Sequence, residues 1–311
     1  MSNQKSISIV IPVFNRERIV LRTLECIALQ DTRDFTLIIV DNNSTDESLS
    51  VVSSWAKRNT DIDCIILSET KPGAAAARNC GLRHVTTKHV LFFDSDDYMA
   101  HNHISSAISL IKSNPEADVV GWEGLQEQKD GKMKTARFSV QNPLREHLIF
   151  ATLATFRYAI RTDLIRKVGA WNEDLRTWDD YELGVRILLE NPIIVKRPGK
   201  PLVKSFFSEI SYTANTFSAN AAMYEKPLNL IEVYLKDKRP DLLPWIDYRR
   251  AVLAAFYAME DDSINAARLL KQASSGKTPT WIVKTLYFWH LNVKTGAWII
   301  ARALFPIFIH K

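Results

Sequence analysis

Hydrophobic positions in the first half of the chain come in short runs, with polar, helix-periodic stretches between them. Residues 7–13 form a continuous β-branched run, as expected of a strand covered on both faces. Residues 18–29 then place Ile19, Val20, Leu24 and Ile27 at helical spacing. A second apolar strand falls at 37–40, and the turn and cap signal Asn43-Ser44-Thr45-Asp46 opens a helix through about Lys57. A third strand at 64–67 precedes the Pro72-Gly73 break, an alanine-rich helix over 74–84 and a fourth strand at 90–93. Strands alternating with helices of this length predict a Rossmann-like α/β fold: a mainly parallel sheet, right-handed crossovers and helices on both faces. Ligands of such sheets bind beyond the carboxyl ends of the strands. Asp41 ends the second strand and Asp94 the fourth, so both are expected to project into one crevice.

After Asp97 the pattern loosens. It predicts a helix over 101–112, a strand at 119–122, an exposed hairpin turn at Lys129-Asp130-Gly131-Lys132, a strand at 158–160, a helix at 183–189 and a strand at 193–195. Beyond about residue 218 strand signals fade. Residues 223–235 and 248–270 have helical spacing, with a break at Pro240 and Pro244. The expected organisation is an α/β catalytic domain over 1–217 and a helical C-terminal region over 218–311.

Composition narrows this picture. With 46% hydrophobic and 24% charged residues in 311, the chain is globular rather than disordered. Cys26, Cys64 and Cys80 are odd in number and widely spaced, with no CxxC or His/Cys cluster, which argues against a disulfide framework or a zinc site. The 7–14 run is too short for a signal peptide and contains Pro12, and no run of 18 apolar residues predicts a spanning helix. The net charge of +5 is unevenly spread: from Ser263 to Lys311 there are seven basic residues and no acidic ones. In that tail Trp281, Tyr287, Phe288, Trp289, Trp298, Phe305 and Phe308 alternate with Lys284, Lys294, Arg302 and Lys311. Such a mixture suits an anionic membrane surface; packing on the catalytic domain or a homodimer interface are the other readings. No nucleic-acid module is visible. The expected location is cytoplasmic, peripheral at the inner face of the cell membrane. Removal of residues from about 277 onward is predicted to weaken liposome binding.

Four segments carry candidate chemistry. Asp94-Ser95-Asp96-Asp97 puts three carboxylates in four residues at a strand end, a costly arrangement unless a cation sits among them. Mg²⁺ or Mn²⁺, which prefer oxygen ligands and bridge carboxylates to phosphate, would fit; a solvated turn with Asp97 capping the next helix is the bland alternative. Asp41 can accept the imide N–H of a uracil or thymine ring. Arg78-Asn79, on the alanine-rich helix, can pair with a pyrophosphate. There is no P-loop, and no GxGxxG follows the first strand. Asp179-Asp180 opens a helix after Trp178; it can supply a general base for an acceptor hydroxyl or merely cap the helix.

The ordered set of motifs resembles family 2 of the inverting glycosyltransferases, which have the GT-A fold. The matching residues are Ser8 to Asn15, Val40 to Asp46, Ala77 to Leu82, Leu91 to Asp97, Gly169 to Glu173 and Asp179 to Arg186. The resemblance implies a nucleotide-diphosphate donor, a UDP-sugar before a dTDP- or GDP-sugar, with Asp41 on the base and Pro12, Phe14 and Asn15 around it. It implies Arg78, Asp94 and Ser95 at the diphosphate, and Asp96 as the main metal ligand supported by Asp94. Asp180 becomes the base, with Asp179 where the family usually has Glu. The acceptor would be a saccharide or lipid-linked hydroxyl in cell-surface polysaccharide or glycolipid synthesis. Two departures stand out. Phe14 replaces the commoner Tyr, and 205–211 lacks the His that many members place after the last core strand. That missing His leaves a second reading, a non-catalytic nucleotide-sugar-binding subunit of a synthesis complex.

Overall fold

A computed structural model describes residues 5–207, 216–276 and 278–309. Lys277 and Lys311 of the basic tail, and residues 208–211 of the segment without His, lie outside the described residues. The chain divides into two compact units: Met1–Pro143 with Thr152–Arg176 and Glu190–Ser208, and Leu144–Ala151 with Thr177–Leu189 and Glu209–Lys311.

All described strands lie in the first unit: β1 (Ile7–Val13), β2 (Phe35–Asp41), β3 (Asp63–Ser68), β4 (His89–Phe92), β5 (Tyr98–Met99), β6 (Val119–Gly121), β7 (Gly124–Glu127), β8 (Met133–Ala136), β9 (Tyr158–Arg161), β10 (Ile194–Lys196) and β11 (Val203–Ser205). The helices are α1 (Val20–Ala28), α2 (Ser48–Arg58), α3 (Ala74–Arg83), α4 (His103–Ser113), α5 (Pro143–Phe150), α6 (Thr162–Lys167), α7 (Asp179–Leu189), α8 (Ala221–Lys238), α9 (Leu243–Met259), α10 (Ser263–Ala273), α11 (Thr280–Val293) and α12 (Ala297–Ile309). Helices α1–α4 and α6 belong to the first unit.

The main sheet has the order β10-β6-β9-β4-β1-β2-β3, parallel except where β9 runs against β4 and β6. The mainly parallel α/β expectation therefore holds. Strand period sorts its faces. Ile7, Ile9 and Ile11 of β1 bury one way with Val20, Leu24 and Ile27 of α1, Val52 and Trp55 of α2, and Ile104 and Ile108 of α4. Val10 and Val40 point the other way, toward α3. There a Cβ on Gly81 would stand 2.4 Å from Val10 Cγ1, so only glycine lets α3 come this close. Helices thus cover both faces. A second sheet, β5-β11-β7-β8, holds the hairpin predicted at Lys129 to Lys132; Gly131 turns it with φ 77.

The second unit is helical among the described residues. Tyr224, Leu228, Ile231 and Leu235 of α8 form one buried stripe. The helix expected over 248–270 is two helices. Asp261 adopts φ 63, and the Asp262 carboxylate caps α10 by accepting the Asn265 N–H, which restarts the chain as α10. Residues 144–151 and 177–189, expected within 1–217, group with this unit for visible reasons. Tyr181 Oη donates to the Leu148 carbonyl at 2.9 Å, Arg249 Nε donates to the same oxygen at 2.6 Å, and Tyr234 Oη donates to Glu182 at 2.8 Å.

Candidate functional site

The parallel register brings the carboxyl ends of β1, β2 and β4 to one edge. Val13 pairs with Asp41, Asp41 pairs with Ser68, and the Phe93 N–H extends the β4 ladder to the Val10 carbonyl at 3.0 Å. Pro12, which has no N–H to give, lies beyond the last β1 residue that pairs with β4, so the ladder loses nothing. Asp41 is buried. Its Oδ2 accepts the Ser44 N–H at 3.3 Å, and its Oδ1 has no hydrogen-bond partner. A buried carboxylate oxygen without a donor is costly, and an N–H from a bound ligand would relieve it.

The loop after β1 is fixed beside Asp41. Asn15 takes the left-handed conformation at φ 50, which Asn tolerates. Its Oδ1 accepts the Thr45 N–H at 2.8 Å and its N–H donates to Ser44 Oγ at 3.1 Å. The Arg16 N–H reaches Ser48 Oγ at 2.7 Å and the Glu17 N–H reaches Asp46 at 3.1 Å. Phe14, between the strand end and this tied loop, keeps 47% of its surface exposed. On the opposite side Asn42 donates to the Glu69 and Lys71 carbonyls and accepts the Gly73 N–H, which holds the turn into α3.

Beyond β4, Arg78 and Asp94 form an ion pair at 2.7 Å. The Arg78 guanidinium lies 4.4 Å over the Trp171 ring, and that ring meets Phe92 edge-on at 5.2 Å. Asn79 clamps Trp171 in place: its Nδ2 donates to the Trp171 carbonyl at 2.9 Å and to Glu173 at 2.7 Å, and its Oδ1 accepts the Trp171 N–H at 3.0 Å. Asp96 lies 3.8 Å from Arg16 Nη2. Its carbonyl accepts Arg22 Nη2 at 2.5 Å, and Thr23 Oγ1 bonds the carbonyls of Ser95 and Asp97 at 3.0 and 2.8 Å. Burial, then the charge of Asp94, raise the pKa of Asp96 above the usual carboxylate range, with Arg16 opposing.

Asp97 does not cap the next helix. It is fully enclosed and accepts the Phe206 backbone N–H, while α4 begins only at His103 with Asn102 in the cap position. Burial, then the charges of Asp94 and Asp96, raise its pKa well above the ordinary value. The segment after β11 offers aromatic rings where a His was looked for: Phe206 lies 4.0 Å under the Arg22 guanidinium.

Three carboxylates and the buried Ser95 thus share one short turn, with Arg78 on Asp94 and Arg16 beside Asp96. Among the described residues no group of three His, Cys, Asp or Glu side chains is arranged to hold a metal ion. The donor set still fits a hard cation. Asp96 and Asp94 offer only oxygen, and Mg²⁺ or Mn²⁺ commonly completes its shell with phosphate and water.

Asp179 and Asp180 open α7 in the second unit, half-buried, with Asp180 Oδ1 accepting the Tyr181 N–H at 2.7 Å. Glu182, two residues on, is fully buried and held by Arg186 at 2.8 and 2.7 Å and by Tyr234. Its carboxylate oxygens are engaged within the second unit.

Arg16, Arg22, Thr23 and Trp171 were not among the expected site residues. Arg16 had a signal, since a cation directly follows β1 and Asn15. Arg22 and Thr23 had none, because their role comes from the packing of α1 under the Asp94 to Asp97 turn.

Residues 8–168 match the family model described as glycosyl transferase family 2. An uncharacterized glycosyltransferase of Haemophilus influenzae is 26% identical over 235 residues, 74% of this chain and 77% of that protein. The amylovoran biosynthesis glycosyltransferase AmsB of Erwinia amylovora is 38% identical over 109 residues, 34% of this chain and 36% of its own length. Among solved structures, S. aureus TarS 1-349 in complex with UDP-GlcNAc aligns with a TM-score of 0.64 at 20% identity, over 92% of this chain and 81% of that one. The fold is GT-A, with a helical C-terminal region.

Proposed function

This chain belongs to glycosyl transferase family 2, and from that premise we propose that it moves a sugar from a UDP-sugar to a hydroxyl of a saccharide or lipid-linked acceptor, with inversion. The observation that carries the donor assignment is the buried, unpartnered Oδ1 of Asp41 at the carboxyl edge of the sheet. The imide N–H of uracil supplies the missing donor, with Phe14 against the base and Pro12 and Asn15 shaping the floor. Arg78, aimed by Asp94 and Trp171, pairs with the diphosphate. Asp96 and Asp94, with Ser95 between them, would hold Mg²⁺ or Mn²⁺. A cation bound there would neutralise the departing nucleoside diphosphate. Asp180, with Asp179 beside it, is assigned the acceptor proton as the acceptor oxygen attacks the anomeric carbon.

AmsB is described as acting in amylovoran biosynthesis, which supports a cell-surface polysaccharide or glycolipid as the product. The enzyme would work peripherally at the cytoplasmic face of the cell membrane. A thermal-shift screen of UDP-, dTDP- and GDP-sugars with and without Mn²⁺ tests the donor. A UDP-sugar with Mn²⁺ should stabilise by ~2.7 kcal/mol at a hundredfold excess over Kd. No shift with any UDP-sugar, or an equal shift with all three nucleotides, would contradict the assignment. Tight donor binding with no nucleotide release on any acceptor would favour the non-catalytic subunit.

A further inference from the structure

Helix α11 is apolar on two sides, and only one of them belongs to a core. Ile282, Val283, Leu286 and His290 form its buried stripe. Trp281 and Phe288, two turns apart on another face, are 52% and 54% exposed, and Trp289 and Val293 nearer the C-terminal end are 41% and 47% exposed. Ile299 of α12 is 57% exposed. The two helices meet at Gly296, where an added Cβ would stand 3.7 Å from Trp289 Nε1 and 3.8 Å from Ile299 Cδ1. Trp289 Nε1 donates to the Thr295 carbonyl at 3.0 Å, so its ring is held at this surface with its polar atom satisfied.

The charges carried by α11 and α12 have one sign. No acidic residue occurs after Asp262. Arg268 is engaged by Glu225, and Arg302 by Glu146. Lys271, Lys284 and Lys294 are exposed and make no ion pair among the described residues. Lys284 lies one turn from both Trp281 and Phe288, and Lys294 follows Val293 in the left-handed cap of α11 at φ 62. Among the described residues no helix is long and apolar enough to cross a membrane.

We propose that this face of α11 and α12 docks on an anionic lipid bilayer, with the aromatic and aliphatic side chains in the headgroup layer and the lysines against lipid phosphates. Charge selects this occupant. A second copy docked face to face would set lysines against lysines, because α11 and α12 carry no carboxylate to answer them. An anionic bilayer supplies both the phosphates and an apolar layer for Trp281, Phe288 and Ile299. The docking deepens the peripheral placement proposed above but does not rest on the donor assignment, since vesicle binding and donor binding are measured separately.

Truncating the tail would strip the buried stripe of α11 as well, so substitutions of the exposed side chains are the cleaner test. The full chain is sedimented with phosphatidylcholine vesicles, and with vesicles in which roughly a third of the lipid is phosphatidylglycerol. The wild type should bind the anionic vesicles, with affinity falling as salt rises, and bind the neutral ones weakly. Lys284→Gln with Lys294→Asn, the latter chosen because Asn accepts the left-handed backbone, should weaken anionic binding about fivefold per lysine. Trp281→Ser with Phe288→Ser should weaken it about tenfold, and both pairs should keep the wild-type shift in melting temperature on donor binding. Failure of the wild type to sediment with anionic vesicles would overturn the proposal, as would salt-independent binding. So would a dimer in sedimentation velocity that Phe288→Ser dissociates, because that dimer would own the face.

Discussion

Substituting Asp41 with alanine should push stability and donor affinity in opposite directions. In the free protein Asp41 Oδ1 is buried without a partner, and Oδ2 has a single long bond to the Ser44 N–H at 3.3 Å. An unsatisfied buried oxygen costs about 1–3 kcal/mol, and the lost Ser44 bond is worth about 1 kcal/mol. Asp41→Ala should therefore leave the free protein as stable as the wild type, or up to about 2 kcal/mol more stable. Uracil binding is different. A hydrogen bond to a charged acceptor is worth about 1.5–3 kcal/mol, so the Kd for UDP should rise about 10- to 150-fold. Cytosine sharpens the test, because its ring nitrogen at the imide position accepts rather than donates. The wild type should prefer UDP to CDP by a similar factor, and Asp41→Ala should lose that preference. Titration calorimetry with both nucleotides, alongside thermal melts of the free proteins, reads all of these quantities. An Asp41→Ala protein that keeps the wild-type preference for UDP refutes the placement of the base on Asp41.

Two further predictions probe the support of the site and the second unit. Asn79→Ala removes three hydrogen bonds to Trp171 and Glu173; urea unfolding should show a loss of about 2–3 kcal/mol, and Arg78 should lose its stacked seat, with weaker UDP binding. An unchanged UDP affinity would mean that Trp171 does not aim Arg78. Asp247 is pushed up to about 6 by burial, although Thr278 Oγ1 donates to it at 2.6 Å. A carboxyl raised in the folded state above its ordinary 3.8 costs stability progressively as pH rises from about 4 to about 6, and in full above that. Asp247→Asn should be near neutral around pH 4 and stabilising by up to about 3 kcal/mol around pH 8 in urea unfolding. An equal effect at both pH values would contradict it.

The sheet was legible because buried parallel strands are written as β-branched runs, and the residue ending each run fixes its carboxyl edge. Asp41 and Asp94 could be placed on one edge from that rule alone, and the register of β1 with β2 and β4 bears it out. The break between α9 and α10 was not legible. It turns on Asp261 entering a left-handed conformation and Asp262 capping inside a continuous helical period, a local device that periodicity averages away. The bland alternative for Asp97, a helix cap, fails for a related reason. Acidic residues near a helix start usually cap it, but here the chain runs on through β5 before α4 begins, and Phe206, far along the sequence, supplies the N–H that holds the carboxylate. The role of α1 under the acidic turn likewise depends on contacts that cross more than 70 residues, from Thr23 to Ser95 and Asp97.

The central claim is that this chain breaks the bond between a sugar and UDP. It is tested most directly by incubating the full chain with candidate UDP-sugars and Mn²⁺ and following UDP release, with the configuration of the freed sugar read by proton NMR before it equilibrates. Slow release with water as acceptor should give the inverted anomer first. Asp96→Ala should abolish release, and Asp180→Asn should reduce it by about 10²-fold or more while leaving UDP binding intact. Release that persists undiminished in Asp96→Ala, or a first product of retained configuration, would contradict the account.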